Sequence, residues 1–301
     1  MATSQKKNLL KKGFMFETNT SHSIEIGRVF YSHLKDKKKS IGLVPTMGAL
    51  HKGHVSLVEK AAQENEWIIV SIFVNPTQFN NPEDLLKYPK SLEEDKFLLA
   101  PFKKKLILYV PQSKDLYPEK LVSKTYNFGG LEKHMEGAFR EEHFNGVATV
   151  VESLFRKLHP NKAYFGEKDF QQLQIIRALN SQLDLQIEII GCPIIREDDG
   201  LAMSSRNSLL SPAQRKSVPI IFKTLQEIIA HQKEWNISKM ETYFRRSIEK
   251  ESQLKVEYFF VAKTSNLIPV KQIEKEKFHR IFVAVFAGKT RLIDTVELGI
   301  L

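Results

Sequence analysis

The fold of this chain is decided by residues 41–54, which read IGLVPTMGALHKGH. The first four residues form an apolar run typical of a buried strand, and residues 55–62, VSLVEKAA, have the pattern of a helix. A turn with two glycines and two histidines separates them. This order of strand, turn and helix places the turn where parallel sheets bind their ligands, at the carboxyl end of a strand.

The turn has the composition of a phosphate site. A helix N-terminus offers unpaired backbone N–H groups and the positive end of its dipole, and both attract a phosphate. Gly48 and Gly53 let the backbone approach a bulky anion without a Cβ in the way. His51 and His54 can donate hydrogen bonds to phosphate oxygens from one side of the first helical turn. We therefore expect a nucleotide to bind here.

Strands and helices alternate through the first two-thirds of the chain. The continuous apolar run 67–74 is typical of a strand buried on both faces of a parallel sheet. The alternation predicts a doubly wound parallel α/β sheet. The predicted strands are 41–45, 67–75, 106–110, 162–165 and 185–190, and the predicted helices are 55–65, 92–99, 145–158 and 170–179.

The pattern changes after Pro193. Ser211 and Pro212 suit the N-cap and the first position of a helix, and a second helix is predicted at 238–250. Three antiparallel strands are then predicted, at 255–262, 281–287 and 292–297. We expect a catalytic domain in residues 1–193 and a smaller α+β domain in residues 194–301.

The net charge of the 301-residue chain is +10, which invites a nucleic-acid hypothesis. The lysine clusters, however, lie in the N-terminal tail and beside predicted turns, without the interleaved aromatic residues of a single-strand-binding surface. A solvated lysine-rich surface is the favoured interpretation, and we expect no nucleic-acid partner. The clusters are Lys6-Lys7, Lys11-Lys12, Lys37-Lys38-Lys39 and Lys103-Lys104-Lys105.

Cysteine content and apolar runs indicate where the protein works. Cys192 is the single cysteine, so no intramolecular disulfide forms. The longest apolar run, 67–74, is too short to span a membrane. Residues 1–12 lack the apolar core of a secretory signal. We expect a cytoplasmic protein without a membrane partner.

Three further segments contain candidate site residues. Gln78 follows the most apolar strand and suits a carboxylate or hydroxyl, although a turn glutamine exposed to water is the competing interpretation. Residues 166–172, GEKDFQQ, repeat the order of strand, glycine turn and helix, with Lys168 placed for a phosphate. Residues 203–207, MSSRN, supply the donors that a triphosphate needs. An ordinary helix cap and a polar loop are the alternatives for these two segments.

Other common site types do not fit the sequence. It contains no G-x-x-x-x-G-K-[ST] element, and no G-x-G-x-x-G follows a predicted strand. His51 and His54 do not form an H-E-x-x-H pattern, and no cysteine pair completes a zinc site. We expect magnesium as the cofactor, held mainly by phosphate oxygens because this ion seldom needs a full protein cage.

Four segments together resemble one family. The chain contains PTMGALHKGH, FVNPTQF, AYFGEKDFQQL and DGLAMSSRNS in the order and spacing of the pantothenate synthetases, or pantoate–β-alanine ligases. HxGH alone indicates only the HxGH nucleotidyltransferase superfamily, whereas the four segments together are specific for the family. The resemblance implies a Rossmann-like domain that binds ATP and pantoate, a C-terminal domain that closes over the site, and a homodimer.

The resemblance also implies a two-step reaction. The carboxylate of pantoate attacks the α-phosphate of magnesium-bound ATP, which gives pantoyl adenylate and pyrophosphate. The amine of β-alanine then attacks the adenylate and releases pantothenate and AMP. Because negative charge spreads around phosphorus in the first transition state, positioned donors and cations matter more than a strong base.

Motif positions carry the implied roles onto this sequence. His54 is the expected proton donor, assisted by His51, and Lys168 neutralises phosphate charge. Gln78 and Gln172 hold pantoate and β-alanine, and Asp95 touches magnesium. The expected ATP-binding residues are Met47, Gly48, Ala49, Leu50, His51, Lys52, Gly53, His54, Gly166, Glu167, Lys168, Asp169, Ile195, Met203, Ser204, Ser205 and Arg206.

Two of the chain's departures from the family pattern bear on charged groups, and Ser91, in place of the usual threonine, is a third. Lys90 stands where the family usually has arginine, which keeps the charge but loses the bidentate fork. Glu141 stands where a proline is usual, which puts a negative charge beside Arg140. We expect these changes to affect catalytic efficiency and peripheral contacts with the substrates, but not the type of reaction.

Two other functions remain open at this point. A different HxGH adenylyl- or cytidylyltransferase would stop after nucleotide transfer to a phosphate ester. Gln78 and Gln172 argue against it, because a phosphorylated acceptor calls for arginine or lysine there. A basic RNA-binding protein that keeps a nucleotide fold is the second alternative, and a steep salt dependence of RNA affinity would support it.

Overall fold

A computed structural model describes residues 16–17, 39–80, 82–117 and 120–299. The expected lack of a secretory signal in residues 1–12 and the lysine clusters at 6–7, 11–12 and 37–38 lie outside the described residues. Within the described part, every helix is too short or too polar to span a bilayer.

The first of two compact units contains a six-stranded, all-parallel sheet. Its strand order is β1-β4-β3-β2-β5-β6. Strands β3 and β4 are added on one side of β2, and β5 and β6 on the other, so the order reverses between β2 and β5. The strands are β1 Phe16–Glu17, β2 Ile41–Thr46, β3 Trp67–Ile72, β4 Leu106–Tyr109, β5 Lys162–Gly166 and β6 Glu188–Cys192.

Helices follow most of the strands in the described part of the chain. Four short 3₁₀ turns lie at Pro76–Gln78, Ala100–Phe102, Glu167–Asp169 and Ser205–Leu209. The α-helices are α1 Lys52–Glu64, α2 Pro82–Lys87, α3 Leu92–Leu99, α4 Ser113–Leu116, α5 Glu136–Phe139, α6 His143–Leu158, α7 Phe170–Gln182, α8 Pro212–Ser217, α9 Ile220–Ala230 and α10 Ile237–Ile248.

The doubly wound α/β class predicted from the sequence is confirmed. The strand expected at 185–190 was placed too early, since β6 begins at Glu188. The cause is a side-chain clamp: Asn180 Nδ2 donates to the Ile187 carbonyl at 2.9 Å, and Asn180 Oδ1 accepts from the Ile187 N–H at 3.3 Å. A backbone that is bonded to Asn180 is not available to a sheet ladder at this residue.

Buried side chains of the central strands form the core of the first unit. Val44 of β2 and Val70 of β3 pack with Leu57 and Val58 of α1, and all four are buried. Burial of apolar surface at about 25 cal/mol per Å² fixes α1 against the sheet. The turn between β2 and α1 is therefore held at both ends by packed elements.

The second unit contains three antiparallel strands, β7 Leu254–Lys263, β8 His279–Ala287 and β9 Thr290–Leu298, in the order β7-β8-β9. Buried residues of α9 and α10, such as Leu225 and Phe244, pack against this sheet. This smaller α+β part confirms the second half of the predicted fold class. The unit comprises Asn127–Glu141, Glu167–Ile175 and the chain from Pro193 onward. The domain boundary expected at residue 193 stays a prediction.

Candidate active site

Two histidines cap the helix that follows β2. His51 is the N-cap of α1, and its Nδ1 accepts a hydrogen bond from the Gly53 N–H at 3.1 Å. His54 Nδ1 accepts in turn from the His51 N–H at 3.3 Å. This is a reciprocal capping box built from imidazoles instead of a hydroxyl and a carboxylate. The ring centroids are 4.1 Å apart, so the two rings form one cluster.

The hydrogen bonds decide which ring nitrogen carries the hydrogen. Because Nδ1 accepts in both His51 and His54, each neutral ring has its N–H at Nε2. In each ring, Nδ1 accepts the hydrogen bond that shapes the helix start, and Nε2–H is the donor for a phosphate oxygen. Both donors belong to the first turn of α1, where the helix dipole favours an anion.

The backbone of the loop before His51 is already bonded within the protein. The Gly48 N–H donates to Thr46 Oγ1 at 3.2 Å, and the Ala49 and Leu50 N–H groups donate to Asp95. These three N–H groups, which precede the helix start, are therefore already used within the protein. Phosphate binding by this loop has to rely on its side chains more than on these amides.

Asp95 lies on α3 and is 1% exposed. Its Oδ1 accepts from the Leu50 N–H at 2.6 Å, and its Oδ2 accepts from the Ala49 N–H at 3.1 Å. Burial raises the pKa of this carboxyl, and the two N–H bonds oppose the rise. The magnesium contact expected for Asp95 stays a prediction. No group of three or more His, Cys, Asp or Glu among the described residues is arranged to hold a metal ion.

Gln78 lies beside the loop. Its Nε2 donates to Met47 Sδ at 2.6 Å, and its Oε1 accepts from Asn75 Nδ2 at 3.3 Å. The side chain is half-buried, and its role as a substrate ligand rather than a turn glutamine stays a prediction. The structure thus brings Gln78 and Met47 together at the carboxyl edge of β2 and β3.

Several residues that hold this edge were missed in the sequence. Asn75 is 1% exposed, and its Oδ1 accepts from Tyr117 Oη at 2.7 Å while its Nδ2 donates to the Gly146 carbonyl at 3.0 Å. His143 Nδ1 is 2.9 Å from the Gln78 carbonyl oxygen. From the sequence alone, Asn75 is recognised only as the residue that precedes Pro76. Contacts with residues about 40–70 positions away leave no local pattern.

In the second unit, the turn Glu167–Asp169 leads into α7. Arg280 Nη2 donates to Glu167 Oε2 at 3.2 Å, and Lys168 Nζ lies 3.7 Å from Asp169 Oδ2. Gln172 is half-buried one turn into α7. Its neighbour Gln171 is structural: it is buried, and its Nε2 donates to the Leu131 and His134 carbonyls, each at 2.8 Å.

The segment Met203–Arg206 also belongs to the second unit. The Met203 N–H donates to the Ile195 carbonyl at 3.0 Å, which joins two of the expected ATP-binding positions. Ser204 caps the 3₁₀ turn that follows, since its Oγ accepts from the Arg206 N–H at 3.3 Å. The hydroxyl of Ser204 therefore already has a structural use, whereas Ser205 and Arg206 are half-buried within the turn.

The same unit contains a buried charge cluster. Arg291 Nη1 and Nη2 donate to the two oxygens of Glu136 at 2.8 and 2.7 Å, and Tyr258 Oη donates to Glu136 Oε1 at 2.7 Å. Arg140 Nη1 is 3.4 Å from Glu136 Oε2. Burial raises the pKa of Glu136, but the charge and hydrogen bonds of Arg291 outweigh it and hold the pKa at about 2.

Comparison with known proteins identifies the family. The family model described as pantoate-beta-alanine ligase matches residues 19–297. The chain belongs to this family. Pantothenate synthetase from Christiangramia forsetii is 48% identical over 274 residues, which cover 88% of this chain and 94% of that protein. The enzyme from Bacteroides thetaiotaomicron is 41% identical over 280 residues, with 92% and 97% covered.

Solved structures of pantoate–β-alanine ligases share the fold. Pantothenate synthetase from Thermus thermophilus matches with a TM-score of 0.80 and 36% identity, over 88% of this chain and 96% of that chain. The ligase from Francisella tularensis matches with a TM-score of 0.77 and 34% identity, over 94% and 97%. That crystal structure is a complex with "Beta-gamma ATP and Beta-alanine".

Within this member of the pantoate–β-alanine ligase family, the expected site residues fall in both units. The first unit has residues 47–54, Gln78 and Gly166, all at the carboxyl ends of parallel strands. The second has the Glu167–Asp169 turn, Gln172, Ile195 and Met203–Arg206. Of the departures that bear on charged groups, Lys90 is exposed, and Arg140, next to Glu141, pairs with Glu136.

Proposed function

We propose that this protein joins pantoate to β-alanine at the expense of ATP, by way of pantoyl adenylate, and releases AMP and pyrophosphate. One observation carries the proposal for this site: two imidazoles present Nε2–H donors at a helix N-terminus, at the carboxyl edge of a parallel sheet. Family membership over residues 19–297 supports the choice of substrates. So does the ATP and β-alanine complex of the Francisella tularensis relative.

The imidazoles act on the charge that develops at phosphorus. As the pantoate carboxylate attacks the α-phosphate, negative charge spreads over the phosphate oxygens, and preorganised donors stabilise it more than they stabilise the ground state. His54 donates from Nε2 without giving up its structural bond at Nδ1. His51 does the same from the preceding position. Lys168 and Arg206 supply fixed positive charge for the remaining phosphates.

Magnesium suits this site as a partner of the nucleotide. Because no cluster of three acidic or histidine side chains is present among the described residues, the ATP phosphates supply most of its ligands. Asp95 is the protein contact that the family resemblance implies, but both of its oxygens are bonded to backbone N–H groups. When bound, magnesium would supply positive charge at the phosphates, which would make pyrophosphate a better leaving group.

Gln78 and Gln172 recognise the acid substrate in this proposal. A primary amide offers two donors and an acceptor, which suits both the hydroxyls and the carboxylate of pantoate. The position of Gln78 is fixed by its bonds to Met47 and Asn75. A transferase that acts on a phosphate ester would place arginine or lysine there instead.

Purified protein incubated with ATP, D-pantoate, β-alanine and Mg²⁺ tests the reaction. We expect AMP, pyrophosphate and pantothenate in equal amounts, measured by chromatography. Omission of pantoate is the control and should abolish AMP formation. Release of ADP, or turnover independent of pantoate, would contradict the proposal.

We further propose that the enzyme works in the cytoplasm as a homodimer without a nucleic-acid partner. Light scattering on a sizing column should give twice the mass of one chain. RNA added at low salt should leave this mass unchanged. A steep loss of RNA binding with salt would favour the RNA-binding alternative.

A further inference from the structure

The loop that leads into His51 follows a strained backbone path. Gly48 and Ala49 have φ angles of +79° and +49°. In this region the Cβ of an alanine crowds the following carbonyl oxygen, so Ala49 needs support from its surroundings. A Cβ on Gly48 would lie 3.0 Å from Ile72 Cγ2 and 3.1 Å from Asp95 Oδ2, so the loop packs closely against both side chains.

Asp95 supplies that support from the first turns of α3. Its two oxygens bind two consecutive backbone N–H groups, those of Ala49 at 3.1 Å and Leu50 at 2.6 Å. Because both peptide planes are bonded to one carboxylate, their orientation is fixed relative to α3. The next residue is His51, whose own N–H is bound by His54 Nδ1, so the orientation is passed on to both rings.

We propose that Asp95 is a positioning residue, which holds the 48–50 loop and thereby aims the Nε2–H groups of His51 and His54. The proposal deepens the proposed function, on which it rests for the identity of the phosphate. Misplacement of catalytic groups by about 1 Å costs on the order of a hundredfold in rate, so a loop clamp outside the chemistry has a large effect.

This role differs from that of a metal ligand. A magnesium ligand would turn its oxygens toward the cation, whereas both Asp95 oxygens are turned toward backbone N–H groups inside the protein. It also differs from simple packing, because a carboxylate can accept from two N–H groups at once. An asparagine of the same size has one acceptor oxygen, and its NH₂ would face a backbone N–H.

Asp95→Asn is therefore the test, with Glu93→Gln as its matched control. Glu93 lies on the same helix and undergoes the same chemical change, but its side chain is exposed and pairs with Lys96 at 2.8 Å on the surface. A surface pair of this kind contributes little to stability. Any effect that both variants share belongs to the loss of a charge on α3.

The first readout is amide hydrogen exchange in the nucleotide-free protein. In the wild type, the Ala49 and Leu50 amides should be protected, and Asp95→Asn should raise their exchange about tenfold or more while Glu93→Gln leaves it unchanged. Wild-type amides that exchange as fast as those of an exposed loop would overturn the proposal, even if Asp95→Asn fails to fold. This readout does not depend on the substrate, so it tests the role of Asp95 in holding the loop separately from the proposed function.

The second readout is the pantoate-dependent exchange of pyrophosphate into ATP. Asp95→Asn should lower its maximal rate about tenfold or more, with the Mg²⁺ concentration for half-maximal rate unchanged. A rate that returns to the wild-type value at high Mg²⁺ would make Asp95 a metal ligand and overturn the proposal. Absence of exchange in the wild type as well would instead count against the proposed function.

Discussion

At the scale of single residues, each histidine of the HxGH motif divides its ring between two tasks. Nδ1 of His51 and of His54 accepts a backbone N–H bond that shapes the start of α1. Nε2 carries the hydrogen that the proposed chemistry needs. Protonation at Nδ1 would place a donor opposite a donor, so the neutral ring is the form that the loop geometry favours.

Two variants of His54 separate these tasks. In His54→Asn, the amide oxygen can replace Nδ1 as the cap acceptor, but nothing replaces Nε2, so we expect a folded protein with turnover lowered about a hundredfold or more. In His54→Gln, a donor reaches the Nε2 position while the cap is lost, so part of the activity should remain. Initial rates of AMP formation and thermal midpoints check both. An Asn variant with normal turnover would show that the charge-stabilising group lies elsewhere.

Glycine substitutions test where ATP lies. A Cβ on Gly166, at the end of β5, meets nothing within 4 Å among the described residues, so Gly166→Ala should not lower stability. If ATP occupies that space, the KM for ATP should rise about tenfold, equivalent to about 1.4 kcal/mol of binding. Unchanged ATP kinetics would remove Gly166 from the ATP site.

Gly146→Ala is the contrasting variant. Its Cβ would lie 2.5 Å from the Thr77 carbonyl oxygen, so α6 and the turn that holds Gln78 have to separate. We expect a loss of about 1–3 kcal/mol of stability from this overpacking, measured as a lower urea midpoint. A fully stable Gly146→Ala protein would show that this turn tolerates movement.

Some of these residues could be predicted from sequence patterns, and others could not. The position of residues 47–54 and Gln78 at one sheet edge could be predicted, because each follows an apolar strand and strand ends meet there. The role of Gln78 came from the family resemblance and stays a prediction. The role of Asp95 could not, since its partners Leu50 and Ala49 lie 45 and 46 residues away. Nor could the sequence show that Gln171 is structural while Gln172 remains half-buried. Gln171 and Gln172 are chemically identical, and only their positions around the axis of α7 distinguish them.

At the scale of elements, local periodicity predicted most of the longer helices and strands, but α9 was not predicted as a helix separate from the one that begins at Pro212. α3 was predicted at its observed bounds, and the three strands of the second unit within a few residues. The helices α2, α4 and α5 were missed because four to six residues hold too little of a helical period to be recognised. β1 has two residues, and only its partner β4 defines it.

The Glu136 cluster links α5 to β7 and β9 within the second unit. Its charge leads to a prediction about the stability of the protein. A carboxyl whose folded pKa is lowered stabilises the protein above its unfolded pKa, and this contribution is lost as the pH falls through the folded value. A folded pKa of about 2 against an ordinary 4.5 is equivalent to about 3 kcal/mol at neutral pH.

Glu136→Gln should therefore lower stability by about 3 kcal/mol at pH 7, and the difference from wild type should shrink between about pH 4.5 and 2. Urea midpoints at several pH values measure this. Glu234→Gln, on an exposed side chain, is the matched control and should change little. A Glu136→Gln effect that is constant with pH would contradict the assigned charge state.

At the scale of the whole molecule, the central claim is that pantoate is activated on ATP before β-alanine is needed. Nothing in the second half-reaction is required for the first, so the adenylation step should be reversible in the absence of the amine. The claim concerns the order of bond formation, which a measurement on the intact enzyme in solution reports directly.

Exchange of labelled pyrophosphate into ATP is that measurement. We predict label in ATP when pantoate and Mg²⁺ are present and β-alanine is absent, and none when pantoate is omitted. Exchange without pantoate, or pantothenate formation by an enzyme that shows no exchange, would contradict an acyl adenylate formed at the His51–His54 loop.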